Sequence, residues 1–248
     1  MGGLILKIKL FCIPYAGGSA VIYHSWKTYL NEQIELIPLE LPGRGTKAKQ
    51  PLQRNVQEIV AGLYDIVKES LKCDEDYAIF GHSMGSTIAF ELYHELIKNG
   101  FHQPVHFFVS AGRSPDSIKE KIVHNLPEEE FKQVILEYGA SSSIIFENEE
   151  LRSFFVPILR ADFEVIENYT SLERNRKIGC GMTAFYGSED TGIKRTQMGE
   201  WKIHASGLWK IHCIPGGHFF IKESPKQVVA IVNEAIFSTE NVKSYQES

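Results

Sequence analysis

Short apolar runs alternate with stretches of helical periodicity from one end of the chain to the other. The runs are ILKIKLFCI (5–13), IELIPLEL (34–41), DYAIFG (76–81), VHFFVSA (105–111), GMTAFYG (181–187) and WKIHCIP (209–215). Each is rich in Ile, Val, Phe or Tyr and stops at Gly, Pro or a polar cluster, as strands do. Strands that alternate with helices predict βα units and a mainly parallel sheet.

The intervening helices show apolar stripes. Asn55 precedes Val56, Ile59, Val60, Leu63 and Val67 at a spacing near 3.6, and Asn55 and Glu58 stand at capping-box distance. Ser224 and Pro225 read as N-cap and first helical residue before Val228, Val229, Val232 and Ile236. The last ten residues, TENVKSYQES, are polar and are expected to fray.

One interval is too long for a single crossover helix. Gly112 to Cys180 spans 69 residues. It carries two stripes of its own: Phe131, Val134, Ile135 and Tyr138, then Leu151, Phe155, Ile158, Leu159 and Ile166, with Pro157 a kink or restart. An insertion of this length predicts a helical lid over a pocket, against the plainer alternative of extra cover for the sheet.

The chain has 248 residues, 43% of them hydrophobic, which fits one domain over 1–248 with a sizeable core. The net charge of −5 comes without a basic stripe and excludes a nucleic-acid surface as the main business. Cys12, Cys73, Cys180 and Cys213 form no CxxC pair and read as small buried residues in a reducing compartment. Lys7 and Lys9 break the N-terminal apolar run, so no signal peptide is expected, and Leu6 does not suit a myristoylation site. A cytoplasmic location is the resulting expectation. His102 and His106 have ligand-like spacing, but Pro104 between them argues against a helix; both are expected at the surface and no metal site is predicted.

The chemistry centres on residues 76–97. A strand runs into Gly81-His82-Ser83-Met84-Gly85 and a helical pattern follows at once. This is G-x-S-x-G in its strand–turn–helix setting, the nucleophile elbow of the α/β-hydrolase fold. Side chains at 81 and 85 would collide with the neighbouring strand and helix. The turn lifts the Ser83 hydroxyl over a helix N-terminus, whose free amides favour a developing anion. A serine hydroxyl needs a base, and the base needs an orienting acid. In this fold they follow in the order Ser, acid, His. Of the nine histidines, His204, His212 and His218 lie far enough along the chain. His212 falls inside a strand and His204 in a helix-like stretch, leaving His218 in the loop PGGHFF. Asp190, just past a strand end, suits the acid; adjacent Glu189 would project differently, and Asp162 on an otherwise apolar helix is the rival. The oxyanion hole should combine the N–H of Met84 with one from the loop Pro14–Ser19, with Ala16 the candidate. Phosphate binding by that loop lacks both the P-loop Lys and the G-x-G-x-x-G spacing.

Six segments stand in the order found in one enzyme family: IPYAGGSA (13–20), LELPGRG (39–45), FGHSMG (80–85), LRAD (159–162), YGSED (186–190) and GGHFFI (216–221). The chain resembles the stand-alone type II thioesterases that serve non-ribosomal peptide and polyketide synthases, including the gramicidin and surfactin external thioesterases, and their relative in animal fatty acid synthesis. The resemblance runs from about residue 8 to residue 235. It implies hydrolysis of acyl or aminoacyl thioesters on the phosphopantetheine arms of carrier proteins, with no cofactor of the enzyme's own and a monomeric state. It carries over Ser83, Asp190 and His218 as the triad and Met84 and Ala16 as oxyanion donors. Two departures are visible: Ser86 stands where the family usually has Gly or Ala, and no Pro follows Asp190. Arg44, Lys47 and Lys49 are candidates for a basic rim that meets an acidic carrier. The alternatives are a small-molecule carboxylesterase or acyltransferase with the same triad, and a non-catalytic binding protein, which a missing triad member would mark.

Overall fold

The computed structural model describes residues 7–72, 75–117, 122–137, 139, 143–171 and 176–238. Cys73, Tyr138 and the polar tail 239–248 lie outside the described residues.

All six predicted runs are strands: β1 (Ile8–Ile13), β2 (Ile34–Pro38), β3 (Tyr77–His82), β4 (His106–Ser110), β5 (Met182–Gly187) and β6 (Trp209–Ile214). They form one sheet in the order β2-β1-β3-β4-β5-β6, and every pairing is parallel. A parallel sheet covered on both faces buries successive residues to opposite sides, which is why its strands read as continuous apolar runs. Phe11, Ile13, Tyr77, Ile79, Phe107, Val109, Met182 and Ala184 point into one core with helices α1 (Val56–Ser70) and α2 (Met84–Lys98). Leu10, Cys12, Ala78, Phe80, Phe108 and Phe185 point into the other. That side is closed by the 3-10 segment Ala20–Thr28, with Tyr23 and Trp26, and by the C-terminal helix Pro225–Ile236.

The predicted start of α1 holds: Asn55 caps it by accepting from the Glu58 amide at 2.8 Å. At the C-terminal helix Pro225 takes the first position, but the Ser224 hydroxyl does not cap the helix. It donates instead to the Pro215 carbonyl at 3.0 Å, tying the helix to the loop before His218.

The long interval after β4 folds as α3 (Glu128–Glu137), α4 (Ile144–Glu147) and α5 (Glu149–Asn168). Helix α5 continues through Pro157 rather than restarting there. Val123, Phe131, Ile135, Phe146, Val156 and Leu159 make a third apolar cluster, separate from the two sheet cores. Three short elements complete the chain: α6 (Arg195–Gly199), the 3-10 turn Glu200–His204 and α7 (Phe220–Glu223); the C-terminal helix is α8.

Two burial expectations are corrected. His106 is not on the surface: it lies at the start of β4 with no exposed area and bonds Thr183 Oγ1 at 2.8 Å. Burial pushes its pKa down to about 3, helped by the charge of Lys210. His102 is half-buried, its ring nitrogens meeting the Gln103 and Glu75 carbonyls. Cys213 is exposed while Cys12 is buried. β6 is an edge strand and β1 an interior one, so the same apolar pattern has different surroundings.

Candidate active site

Strand order reverses beside β1: the chain steps from β1 out to β2, returns to β3 on the other side and then moves steadily to β6. Ligands of open parallel sheets bind beyond the carboxyl ends of strands at such a switch point. The loop Pro14–Ser19 leaves β1 there, and Ser83 leaves the adjacent β3.

Ser83 occupies the single residue between β3 and α2, with φ 54° and ψ −118°. A side-chain-bearing residue rarely adopts positive φ, and such strain clusters at functional sites. The flanking glycines permit it. A Cβ at Gly81 would stand 2.2 Å from the Gly85 carbonyl oxygen, and one at Gly85 would stand 2.3 Å from that of Ile13. The Ser83 amide donates to the Ser110 carbonyl at 2.7 Å.

The structure brings the three predicted triad residues together. His218 Nε2 lies 3.0 Å from Ser83 Oγ, and His218 Nδ1 lies 2.7 Å from Asp190 Oδ2. A carboxylate only accepts, so Nδ1 carries the proton and Nε2 offers its lone pair to the serine. Asp190 comes from the loop after β5 and His218 from the loop after β6. The other Asp190 oxygen accepts from the Gly192 and Ile193 amides, both at 2.9 Å. This turn fixes the carboxylate. Burial raises the Asp190 pKa, but the His218 hydrogen bond and charge, with the two amides, outweigh it and hold the carboxyl below its ordinary value. Glu189 is exposed.

Ala16 and Met84 both line the cavity at Ser83. Among the described residues neither amide donates to a protein acceptor. The loop that carries Ala16 is held from two sides. Asp162 Oδ2 accepts from the Gly17 amide at 2.7 Å. Glu40 accepts from the Ser19 hydroxyl at 2.7 Å and the Ala20 amide at 3.1 Å.

Asp162, the rival acid, does not reach His218. It forms a two-pronged ion pair with Arg44, whose Nη2 lies 2.7 Å from Oδ1, and both side chains are almost fully buried. This also corrects the carrier-rim reading of Arg44, which has no free surface to offer. Lys47 is half-buried and Lys49 exposed.

The cavity beside Ser83 measures about 160 Å³. Leu159, Phe163 and Ile166 of α5 form its roof, with Arg113 at its side. A second cavity of about 600 Å³ adjoins it across His218, Phe219 and Arg113 and includes Glu189 and Glu223. A serine hydroxyl bonded to a histidine, the amides of Ala16 and Met84 beside it and an apolar chamber suit acyl transfer from Ser83 to water. Among the described residues no cluster of His, Cys, Asp or Glu could hold a metal ion.

Sequence reasoning missed three residues of this neighbourhood: Glu40, Arg113 and His82. The first two carry no local signal beyond their motifs' order. His82 stood in plain view inside G-x-S-x-G, and only its buried surroundings give it meaning.

A family model described as a thioesterase domain matches residues 8–236. The chain belongs to that family. Its members hydrolyse thioesters, which sets the enzyme class. Gramicidin S biosynthesis protein GrsT of Aneurinibacillus migulanus is 33% identical over 226 residues, covering 90% of this chain and 86% of its own. The medium-chain S-acyl fatty acid synthase thioesterase of Homo sapiens is 33% identical over 224 residues, covering 86% and 80%. The crystal structure of ClbQ from the colibactin NRPS/PKS pathway superposes with a TM-score of 0.89 at 36% identity, covering 95% of this chain and 99% of that one. The parallel six-stranded sheet flanked by helices, shared with ClbQ, is that of the α/β-hydrolase fold. Among the described residues no helix is long and apolar enough to cross a membrane.

Proposed function

We propose that this thioesterase is a stand-alone type II enzyme that removes acyl or aminoacyl groups from the phosphopantetheine arms of carrier proteins in a peptide or polyketide synthase. Ser83 is the nucleophile, His218 the base and Asp190 the acid that orients it. The observation that carries the reading is the unbroken chain from Asp190 Oδ2 through the His218 ring to Ser83 Oγ, with steps of 2.7 and 3.0 Å. Its support outside the site is the likeness to GrsT and ClbQ, both named for such pathways.

His218 takes the Ser83 proton as Oγ attacks the thioester carbonyl. The amides of Met84 and Ala16 hold the oxyanion, and losing one such donor typically costs on the order of 10²–10³ in rate. The C–S bond breaks, the imidazolium gives its proton to the pantetheine thiolate, and an ester joins the acyl group to Ser83. Water then gives a proton to His218 and attacks that ester; collapse releases the carboxylic acid and returns the proton to Ser83. Arm and acyl group both belong to the carrier, so the enzyme contributes no cofactor of its own. The α5 roof acts as the lid, and the protein works as a monomer in the cytoplasm.

The test is a panel of carriers loaded with acetyl, aminoacyl and longer acyl groups. The wild-type protein is expected to release acyl groups, and Ser83→Ala to release none above background. Release by Ser83→Ala would overturn the assignment of the nucleophile. Much faster turnover of simple esters than of every loaded carrier would overturn the carrier as substrate.

A further inference from the structure

His82 precedes Ser83 in the chain, yet its side chain turns away from the reacting hydroxyl and into the core behind the base. It has no exposed area. Its Nε2 lies 3.0 Å from the His218 carbonyl oxygen and its Nδ1 2.8 Å from Ser110 Oγ. A carbonyl oxygen can only accept, so Nε2 must carry the proton. Burial, the nearby charge of His218 and the fit of a single ring proton keep the imidazole neutral; its pKa lies well below the ordinary value. Nδ1 is then an acceptor, and the Ser110 hydroxyl donates a hydrogen bond to it.

The ring also packs on the other parts of the site. Its centroid lies 5.5 Å from that of His218, 5.8 Å from that of Tyr15 in the loop after β1, and 5.4 Å from that of Phe220. Ser110 in turn supplies the carbonyl that receives the Ser83 amide. One neutral side chain thus joins the base loop to the strand end that holds the nucleophile.

We propose that His82 is a positioning residue: its Nε2–H, locked by Ser110, anchors the backbone of His218 so that the imidazole held by Asp190 at one end faces Ser83 at the other. This inference rests on the triad reading above. The base is tethered on its ring by Asp190 and on its main chain by His82. Asp190 fixes one ring nitrogen, and the carbonyl anchor fixes the main chain from which the ring projects. A displacement of the base of about 1 Å can cost on the order of 100-fold in rate.

The test compares His82→Phe, which keeps the ring volume but has no donor, with His82→Gln, whose amide N–H₂ can reach the same carbonyl. Activity is expressed per active site titrated with a fluorophosphonate, so that misfolded protein does not count. The expected result for His82→Phe is a fall in kcat of about 10- to 100-fold with KM within about twofold, and a substantial recovery in His82→Gln. Unchanged kcat per titrated site in His82→Phe, or a loss that His82→Gln shares in full, would overturn the proposal. A second readout needs no variant. In ¹⁵N spectra of the wild-type protein the His82 ring should show a protonated Nε2 and a bare Nδ1; the opposite tautomer, or exchange between the two, would also overturn it. Ser83→Ala and His218→Ala run alongside. If those retain turnover, the triad reading fails; if they are inactive and His82→Phe is unimpaired, the inference about His82 alone fails.

Discussion

Asp162 and Arg44 form a buried, two-pronged ion pair 118 residues apart in sequence, and the same carboxylate holds the Gly17 amide. The pair pins α5 to the loop that carries Ala16. Asp190 and Asp162, both buried near the site, therefore have different attachments: Asp190 to His218, Asp162 to the scaffold.

Substitution should separate them. Asp162→Ala leaves a buried guanidinium without its partner, a change that typically costs about 3–5 kcal/mol. The expected outcome is a large loss of stability in urea titrations, with the pH dependence of turnover unaltered in the protein that remains folded. Asp190→Asn should do the reverse. It removes the charge that stabilises the imidazolium and disturbs the tautomer, and the corresponding change in a serine protease costs on the order of 10⁴ in kcat. A shifted pH profile in Asp162→Ala would show that the two roles are assigned the wrong way round.

The backbone at Ser83 should make glycine better tolerated than alanine. Alanine ordinarily stabilises relative to glycine because it restricts the unfolded chain. At φ 54° that order should invert, since a Cβ is strained there. Ser83→Gly is expected to be more stable than Ser83→Ala by on the order of 1 kcal/mol, both being inactive. Equal or reversed midpoints in thermal unfolding would remove the claim of strain.

The roof should set acyl length. Phe163 and Ile166 face a cavity of only about 160 Å³ beside Ser83. Ile166→Ala opens that space without touching a polar group. One added methylene in an apolar pocket is worth about 1–3 kcal/mol. The ratio of kcat/KM for a longer acyl carrier over acetyl carrier should therefore rise about tenfold or more. Ile166 also lines the larger cavity across His218, so a ratio that stays put would place the acyl chain away from the α5 roof altogether.

Acid should destabilise the protein through its buried histidines. The pKa of His106 is pushed down to about 3 and that of His94 to about 4, in both cases mainly by burial. A base whose folded pKa is depressed binds its proton more readily when unfolded. Stability is therefore full above the unfolded value near 6.5 and falls as pH drops from there toward the folded value. For His106 the loss between pH 7 and pH 5 is about 2 kcal/mol. Urea midpoints at the two pH values check it, and His106→Phe should flatten the slope.

Much of this was legible in the sequence because the relevant signals are local. A strand buried on both faces writes a continuous apolar run, so all six were found. Ser83, Asp190 and His218 each sit at a strand end within a recognisable turn, and chain order with that position gave the parts expected of them. What was hidden depends on strand order and on distant partners. His106 and Cys213 lie in similar apolar runs, but β4 is interior and β6 is an edge, and nothing within either run says which. Arg44 reads as a surface charge until α5 delivers Asp162 to it. Asp162 read as a second possible acid for the same reason.

The separate apolar cluster under α3, α4 and α5 has a consequence for how such a protein changes over time. Its side chains pack mainly on one another, so they can be exchanged as a set while the strand ends that present Ser83, Asp190 and His218 stay where they are. New cargo calls for a new ceiling, and this ceiling can be rebuilt so long as Asp162 keeps its hold on Arg44 and the Gly17 amide.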